Sequence, residues 1–352
     1  MDELFGRRLM AGIPVRAQDR VVLYSAQFRD MARDLVLRAA SVQVHDSDYA
    51  ALTRLRQDLA ASSRAQIAGT VFPEAEPAFD KALIISPKGR DFARAQIWSA
   101  YHSLLEGGEL YLIGANDEGI KSIIADAGTL FGRARTLTYK QRHRLGAAQK
   151  FEAGASFPAA WGDVPTRIQT RTLDTPLGSI PLGTMPGVFS WQALDDGTAF
   201  LLSQALLPGL AEGADVLDVG CGTGVIGCAL GRQARSLHLV DVNLLAVECA
   251  RTSVQLNDLP DARVYPSDVY SDVEGSFDLI VSNPPFHQGF DVSSEAVSRL
   301  MAQAPDHLRP GGRLLLVANA FLPYEAALEE HLGNAQVVAQ NTRYKVLMGE
   351  KR

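Results

Sequence analysis

Two tandem α/β domains, each a mostly parallel sheet with helices on both faces, are predicted by three features of this sequence. Short apolar, β-branched runs alternate with stretches of helical periodicity, the pattern of strands joined by crossover helices. The alternation runs through the chain twice, and 352 residues exceed one ordinary domain. In the second half a strand ends in Gly220-Cys221-Gly222-Thr223-Gly224. Glycines there let the backbone pass close beneath a ligand at a helix N-terminus.

Residues 1–20 carry no clear periodicity. Val21–Tyr24 reads as a strand, Met31–Ala40 as a helix, Val42–Asp46 as a strand and Tyr49–Ala61 as a helix. Ala82–Ile85 is a buried strand ending at Ser86-Pro87-Lys88-Gly89, and Asp91–Leu105 a helix closed by Gly107-Gly108. Glu109–Ile113 is the next strand. From 151 to 187 Gly, Pro and Thr are frequent and helical periodicity disappears, so the domain boundary falls there, giving domains 1–165 and 166–352. Arg167–Arg171 and Ser179–Leu182 read as the strands of a hairpin. Strands then follow at Ala214–Val219, Leu237–Asp241, Val264-Tyr265, Phe277–Ser282 and Gly311–Ala318, with helices from Val225 and over Ala246–Leu256.

The halves overlay. Val21-Val22-Leu23 starts 25 residues before Asp46, as Val216-Leu217-Asp218 does before Asp241. Gly107-Gly108-Glu109-Leu110-Tyr111-Leu112 matches Gly311-Gly312-Arg313-Leu314-Leu315-Leu316. Where the second half has Gly220, Gly222 and Gly224, the first has Ser25, Gln27 and Arg29, whose side chains block a close approach. The first half reads as a copy that has lost its chemistry.

Composition excludes several classes. No apolar run nears the ~20 residues of a membrane span, and the N-terminus lacks the apolar core of a secretory signal. Cys221, Cys228 and Cys249 are odd in number and form no Cys-x-x-Cys pair, which disfavours a disulfide framework or a metal site and suits a reducing cytoplasm. Residues 1–180 hold 23 basic and 20 acidic residues, whereas 181–352 hold 11 and 20. Within 121–150 there are 7 basic residues, Arg133, Arg135, Lys140, Arg142 and Arg144 among them, against the single acid Asp126. Such a segment in an acidic protein is either a footprint for a phosphate backbone or a solvated helix face.

The strongest chemical signal is Ser282-Asn283-Pro284-Pro285-Phe286-His287 after the strand Phe277–Ser282. The prolines end the ladder and stiffen the loop. It presents an amide, free carbonyls and an aromatic ring at the strand edge where α/β sheets bind ligands. Hydrogen-bond acceptors beside an aromatic platform suit a planar group bearing an NH2, such as a nucleobase amine. By itself the glycine loop is ambiguous, because Gly222-Thr223-Gly224-Val225-Ile226-Gly227 with Asp241 also fits the NAD fingerprint. Asp218 breaks the tie if its carboxylate meets an ammonium, which S-adenosylmethionine has and NAD lacks. Asp268 is then placed to accept from the adenine amine, and Asp241 from the ribose.

Pro186-Gly187-Val188-Phe189-Ser190, Leu194–Thr198, Val216–Ile226, Asp241, Ser282–Gly289 and Ala318–Tyr324 resemble the class I methyltransferases that modify guanine N2 in ribosomal RNA. The similarity is greatest to the bacterial small-subunit rRNA guanine-N2 methyltransferase family, dense over 186–345 and loose over 80–145. It implies two Rossmann-like domains with seven-stranded sheets, the N-terminal one degenerate and RNA-binding. It also implies a cytoplasmic, monomeric, metal-free enzyme using S-adenosylmethionine on rRNA or the small ribosomal subunit. Cofactor contacts fall on Asp195, Thr198, Asp218, Gly220, Gly222, Gly224, Asp241, Asp268, Val269 and Asn283. Catalysis falls on Asn283, Pro284 and Phe286, and RNA contacts on Arg133, Arg135, Lys140, Arg142, Arg144 and His287. Competing readings are large-subunit rRNA guanine N2, adenine N6 or protein glutamine as methyl acceptor, or an inactive RNA-binding assembly factor.

Overall fold

The computed structural model describes residues 9–152, 154–285 and 292–352. The chain divides into two compact units, Met1–Arg167 and Ile168–Arg352. In the first, strands β1 (Arg20–Tyr24), β2 (Ser41–His45), β3 (Ala65–Ile67), β4 (Phe79–Ile85), β5 (Leu104–Ala115), β6 (Ala134–Lys140) and β7 (His143–Gln149) form one sheet, in the order β3-β2-β1-β4-β5-β7-β6. The second opens with an antiparallel ribbon of β8 (Gln169–Thr175) and β9 (Gly178–Thr184). Its sheet comprises β10 (Asp215–Val219), β11 (Ser236–Asp241), β12 (Arg263–Pro266), β13 (Phe277–Ser282), β14 (Leu308–Asn319), β15 (Gln336–Gln340) and β16 (Tyr344–Glu350). The order is β12-β11-β10-β13-β14-β16-β15, the first sheet repeated strand for strand. All pairings are parallel except those of the final hairpin in each sheet.

Alternation along the central strands fills a core on both faces of the second sheet. Val216, Leu239, Leu279, Val281, Leu315 and Val317 pack on one side. Leu217, Val219, Val240, Ile280, Leu314 and Leu316 pack on the other. Strands covered on both sides are mostly apolar, which is why they are recognisable from sequence.

Three polar devices recur in both units. Asp80 Oδ2 accepts the Arg20 N–H at 2.8 Å, and Asp278 Oδ2 accepts that of Asp215 at 2.9 Å. Lys150 Nζ donates to the Tyr101 and Leu104 carbonyls, closing the helix Arg90–Ser103. Lys351 Nζ donates likewise to Pro305 and Leu308 at the end of Val292–His307. Asp46 accepts N–H bonds from Ala26 and Asp48, as Asp241 does from Gly222 and Asn243. The first two devices are scaffold, while the third recurs at the strand end where Asp241 reaches the cavity.

The structure also adds to the sequence reading. Leu9, Met10 and Ile13 are buried despite the silent N-terminal pattern. The basic segment is a helix, Ile120–Phe131, followed by the β6/β7 hairpin. Arg133, Arg135, Lys140, Arg142 and Arg144 fall at or beyond the start of that hairpin, off the helix face.

Candidate active site

In the second sheet the chain winds outward in opposite directions from β10 and β13, the switch point at which α/β sheets open a crevice. A cavity of about 480 Å³ lies there, beyond the C-terminal ends of the strands. Gly220 and Gly222 line its floor with φ of 72° and 56°, and a Cβ built on either would meet nothing within 4 Å. Both therefore leave open a cradle that a side chain would fill. Gly224 serves packing instead. It stands at the N-cap of Val225–Gly231, where a Cβ would press on Ala250 and Leu239 at 3.3 Å.

Asp241 reaches the cavity from the end of β11. Its Oδ2 accepts the Gly222 N–H and its Oδ1 the Asn243 N–H, both at 2.8 Å, so each oxygen keeps a lone pair for a ligand. Burial pushes this carboxyl above its ordinary range, opposed by those N–H groups. Asn243 holds the loop by a second bond, from Nδ2 to the Gly187 carbonyl at 2.8 Å.

Asp218 is not at the cavity wall, contrary to the expectation that it meets an ammonium group. It is 0% exposed, and its Oδ2 accepts the Gly227 N–H at 2.9 Å. The period of two along β10 sets residue 218 on the same face as Val216, beneath the helix Val225–Gly231. Oδ1 is buried with no partner among the described residues, and burial pushes the carboxyl up to about 7.

Asp268 and Val269 form a further wall. Arg299 grips the Asp268 carboxylate with two bonds, of 2.7 and 3.1 Å. Val269 has φ +60°, which for a β-branched residue costs about 1–3 kcal/mol and marks a constrained site.

Asn283 follows β13 at the opposite wall. Its Nδ2 donates to Asp195 Oδ2 at 3.0 Å and to Thr198 Oγ1 at 2.7 Å. Asp195 also caps the helix Asp196–Leu202 by accepting the Thr198 N–H at 2.9 Å. A carboxylate only accepts, so the amide nitrogen must face it. Both amide protons are thereby engaged, and Oδ1 is left as a fixed acceptor. Pro284 lines the cavity beside it. Phe286 and His287 lie outside the described residues.

Asp195, Thr198, Gly220, Gly222, Asp241, Asp268, Val269, Asn283 and Pro284 thus share one cavity, while Asp218 and Gly224 support it from behind. Arg299, Asn243 and Tyr344 were not legible in the sequence. Tyr344 lines the cavity from the first position of β16. Among the described residues no cluster of His, Cys, Asp or Glu is arranged to hold a metal ion. No described helix is long and apolar enough to cross a membrane.

The fold and this cavity define an S-adenosylmethionine-dependent methyltransferase. The methyltransferase small domain profile matches residues 179–348, and the profile of its N-terminal domain matches 16–137. The ribosomal RNA small subunit methyltransferase C of Yersinia enterocolitica is 34% identical over 331 residues, covering 93% of this chain and 90% of that one. The Yersinia pseudotuberculosis protein of the same name is 34% identical over 333 residues. A solved T. thermophilus 16S rRNA N2-guanine methyltransferase, in complex with AdoMet and guanosine, superposes with a TM-score of 0.82 at 27% identity, over 98% of this chain and 91% of that one. The chain belongs to the ribosomal RNA small subunit methyltransferase C family.

Proposed function

We propose that this enzyme methylates the exocyclic N2 amine of a guanine in small-subunit ribosomal RNA, using S-adenosylmethionine, in the cytoplasm where ribosomes are built. The observation that carries the reading is Asn283, whose amide protons are both spent on Asp195 and Thr198. Its Oδ1 is therefore an acceptor held for a donor on the substrate, and an exocyclic amine is such a donor.

The cradle over Gly220 and Gly222 fits S-adenosylmethionine, with Asp241 accepting from the ribose and Asp268 from the adenine amine. Asp195 is a third carboxylate of the cavity, beside Asn283, and Asp218 acts through the helix it braces. Bound there, the cofactor supplies a methyl group already activated on a sulfonium.

The chain's own residues then position the acceptor. Guanine N2 is conjugated with its ring and is a poor nucleophile. Asn283 Oδ1 and the Pro284 carbonyl accept its two N–H bonds, which favours a pyramidal nitrogen with its lone pair free. Phe286 stacks on the base. Positioning of this kind lowers a barrier by about 7–11 kcal/mol at best. No strong base is needed before transfer, because the amine turns acidic once it carries the methyl group and then gives its proton to solvent water. The exposed cations of the β6/β7 hairpin carry phosphate contacts in the first unit.

Labelled S-adenosylmethionine offered with rRNA, small subunits, large subunits and protein separates the alternatives. Nucleoside chromatography should place the label in N2-methylguanosine from small-subunit rRNA. Label in N6-methyladenosine, in large-subunit rRNA or in methylglutamine would reassign the acceptor, and no transfer at all would make the chain an RNA-binding assembly factor.

A further inference from the structure

On the β6/β7 hairpin the Arg144 guanidinium lies over the Tyr139 ring, 4.5 Å from its centroid. Asn116 clamps the pair. Its Oδ1 accepts from Arg144 Nε at 2.9 Å, its Nδ2 donates to the Tyr139 hydroxyl at 3.4 Å, and its own N–H donates to the Arg142 carbonyl at 2.8 Å. One side of the ring is thus covered by a cation, yet Tyr139 remains 57% exposed. An aromatic ring held in place and open to solvent gains nothing for the core.

Its surroundings point to the occupant. Residues 133–144 contain five Lys or Arg and no acid. Arg133, Arg135, Lys140 and Arg142 are exposed and form no ion pair among the described residues. The second unit supplies an internal control, because its β15/β16 hairpin occupies the same place in the same strand order. Strand β15, Gln-Val-Val-Ala-Gln, is uncharged, and the nearby Arg343 is paired with Asp196 at 2.7 Å. Lys345 on β16 is likewise paired, with Glu325, so the hairpin folds without unpaired cations and their presence in the first unit is not a demand of the architecture.

We propose that the open face of Tyr139 is a stacking platform for an unpaired base of the RNA substrate, with the flanking cations on its phosphates. This rests on the reading of the substrate as ribosomal RNA. Aromatic rings set among cations suit single strands, whose splayed bases offer a π-face that a duplex keeps buried. The Arg144 charge behind the ring adds a cation–π component to the stack.

The test uses the full chain, a short unstructured RNA and a duplex RNA, with binding read by fluorescence anisotropy across a salt series. Tyr139→Ala should weaken single-strand binding by roughly 5- to 150-fold, the equivalent of about 1–3 kcal/mol of stacking, with an unchanged salt slope. Tyr139→Phe should keep most of the affinity. Arg135→Glu and Arg142→Glu should flatten the salt slope on both RNAs. Because these side chains are exposed, unfolding midpoints and cofactor affinity should match wild type. If Tyr139→Ala binds the single strand normally while the charge variants weaken it, stacking is overturned and phosphate tracking stands. If all variants bind both RNAs normally and still transfer methyl to rRNA, the hairpin is no RNA surface, although the methyltransferase reading survives. A defect confined to assembled subunits would instead assign the ring to a ribosomal protein. A wild-type enzyme inactive on both rRNA and small subunits removes the reading underneath.

Discussion

At the scale of single residues, the site depends on polar groups whose partners are already assigned. Asp241 is the clearest case, since it lines the cavity and one N–H bond to each oxygen orients the carboxylate while leaving each a further lone pair. Asp241→Ala should weaken S-adenosylmethionine by roughly 10- to 150-fold, the loss of a hydrogen bond to a charged group worth about 1.5–3 kcal/mol. Asp46→Ala, at the matching strand end of the first unit, should leave that affinity unchanged, with one cofactor bound per chain. Titration calorimetry reads both, and two sites per chain would show that the first unit had kept its chemistry. Asp241 was legible because a carboxylate about 20 residues beyond a glycine loop has a known role. Asp218 was misplaced by the same reasoning from spacing, since side-chain alternation on a buried strand outranks proximity to the loop. Arg299 gave no local sign, because its partner Asp268 lies 31 residues away.

At the scale of elements, legibility followed burial. The central parallel strands β1, β4, β10 and β13 are buried along most of their length and are readable, whereas the short parallel edge strand β3 is half-exposed and β6, β7, β15 and β16 mix small, polar and charged residues, and these are not. Strand β2 carries a second consequence. His45 is 1% exposed, its Nδ1 hydrogen-bonds to the Thr70 carbonyl at 2.9 Å, and Nε2 is buried without a partner among the described residues. Burial pushes its pKa down from 6.5 to about 4. The unfolded chain therefore binds the extra proton first. The stability this site contributes is complete above about pH 6.5 and is lost as the pH falls towards 4, on the order of 3 kcal/mol in all. Urea unfolding followed at pH 7 and pH 4.5 should show a larger loss in wild type than in His45→Leu. Equal losses would mean that acid acts on the first unit through other groups.

At the scale of the whole molecule, one fold occurs twice. The carboxylates that tie strands together and the lysines that close helices are present in both units. The glycine cradle and the Asn-Pro-Pro loop occur only in the second, and the unpaired cations of the hairpin, among the described residues, only in the first. Under the proposed reading the second unit performs methyl transfer and the first holds RNA. Its central claim is that Asn283 orients the substrate amine, and single-turnover kinetics at saturating RNA tests that most directly. Asn283→Ala should keep cofactor affinity near wild type while the transfer step slows by orders of magnitude, a defect that added RNA does not rescue. A variant that transfers methyl at the wild-type single-turnover rate would contradict the account and reduce the loop to a turn.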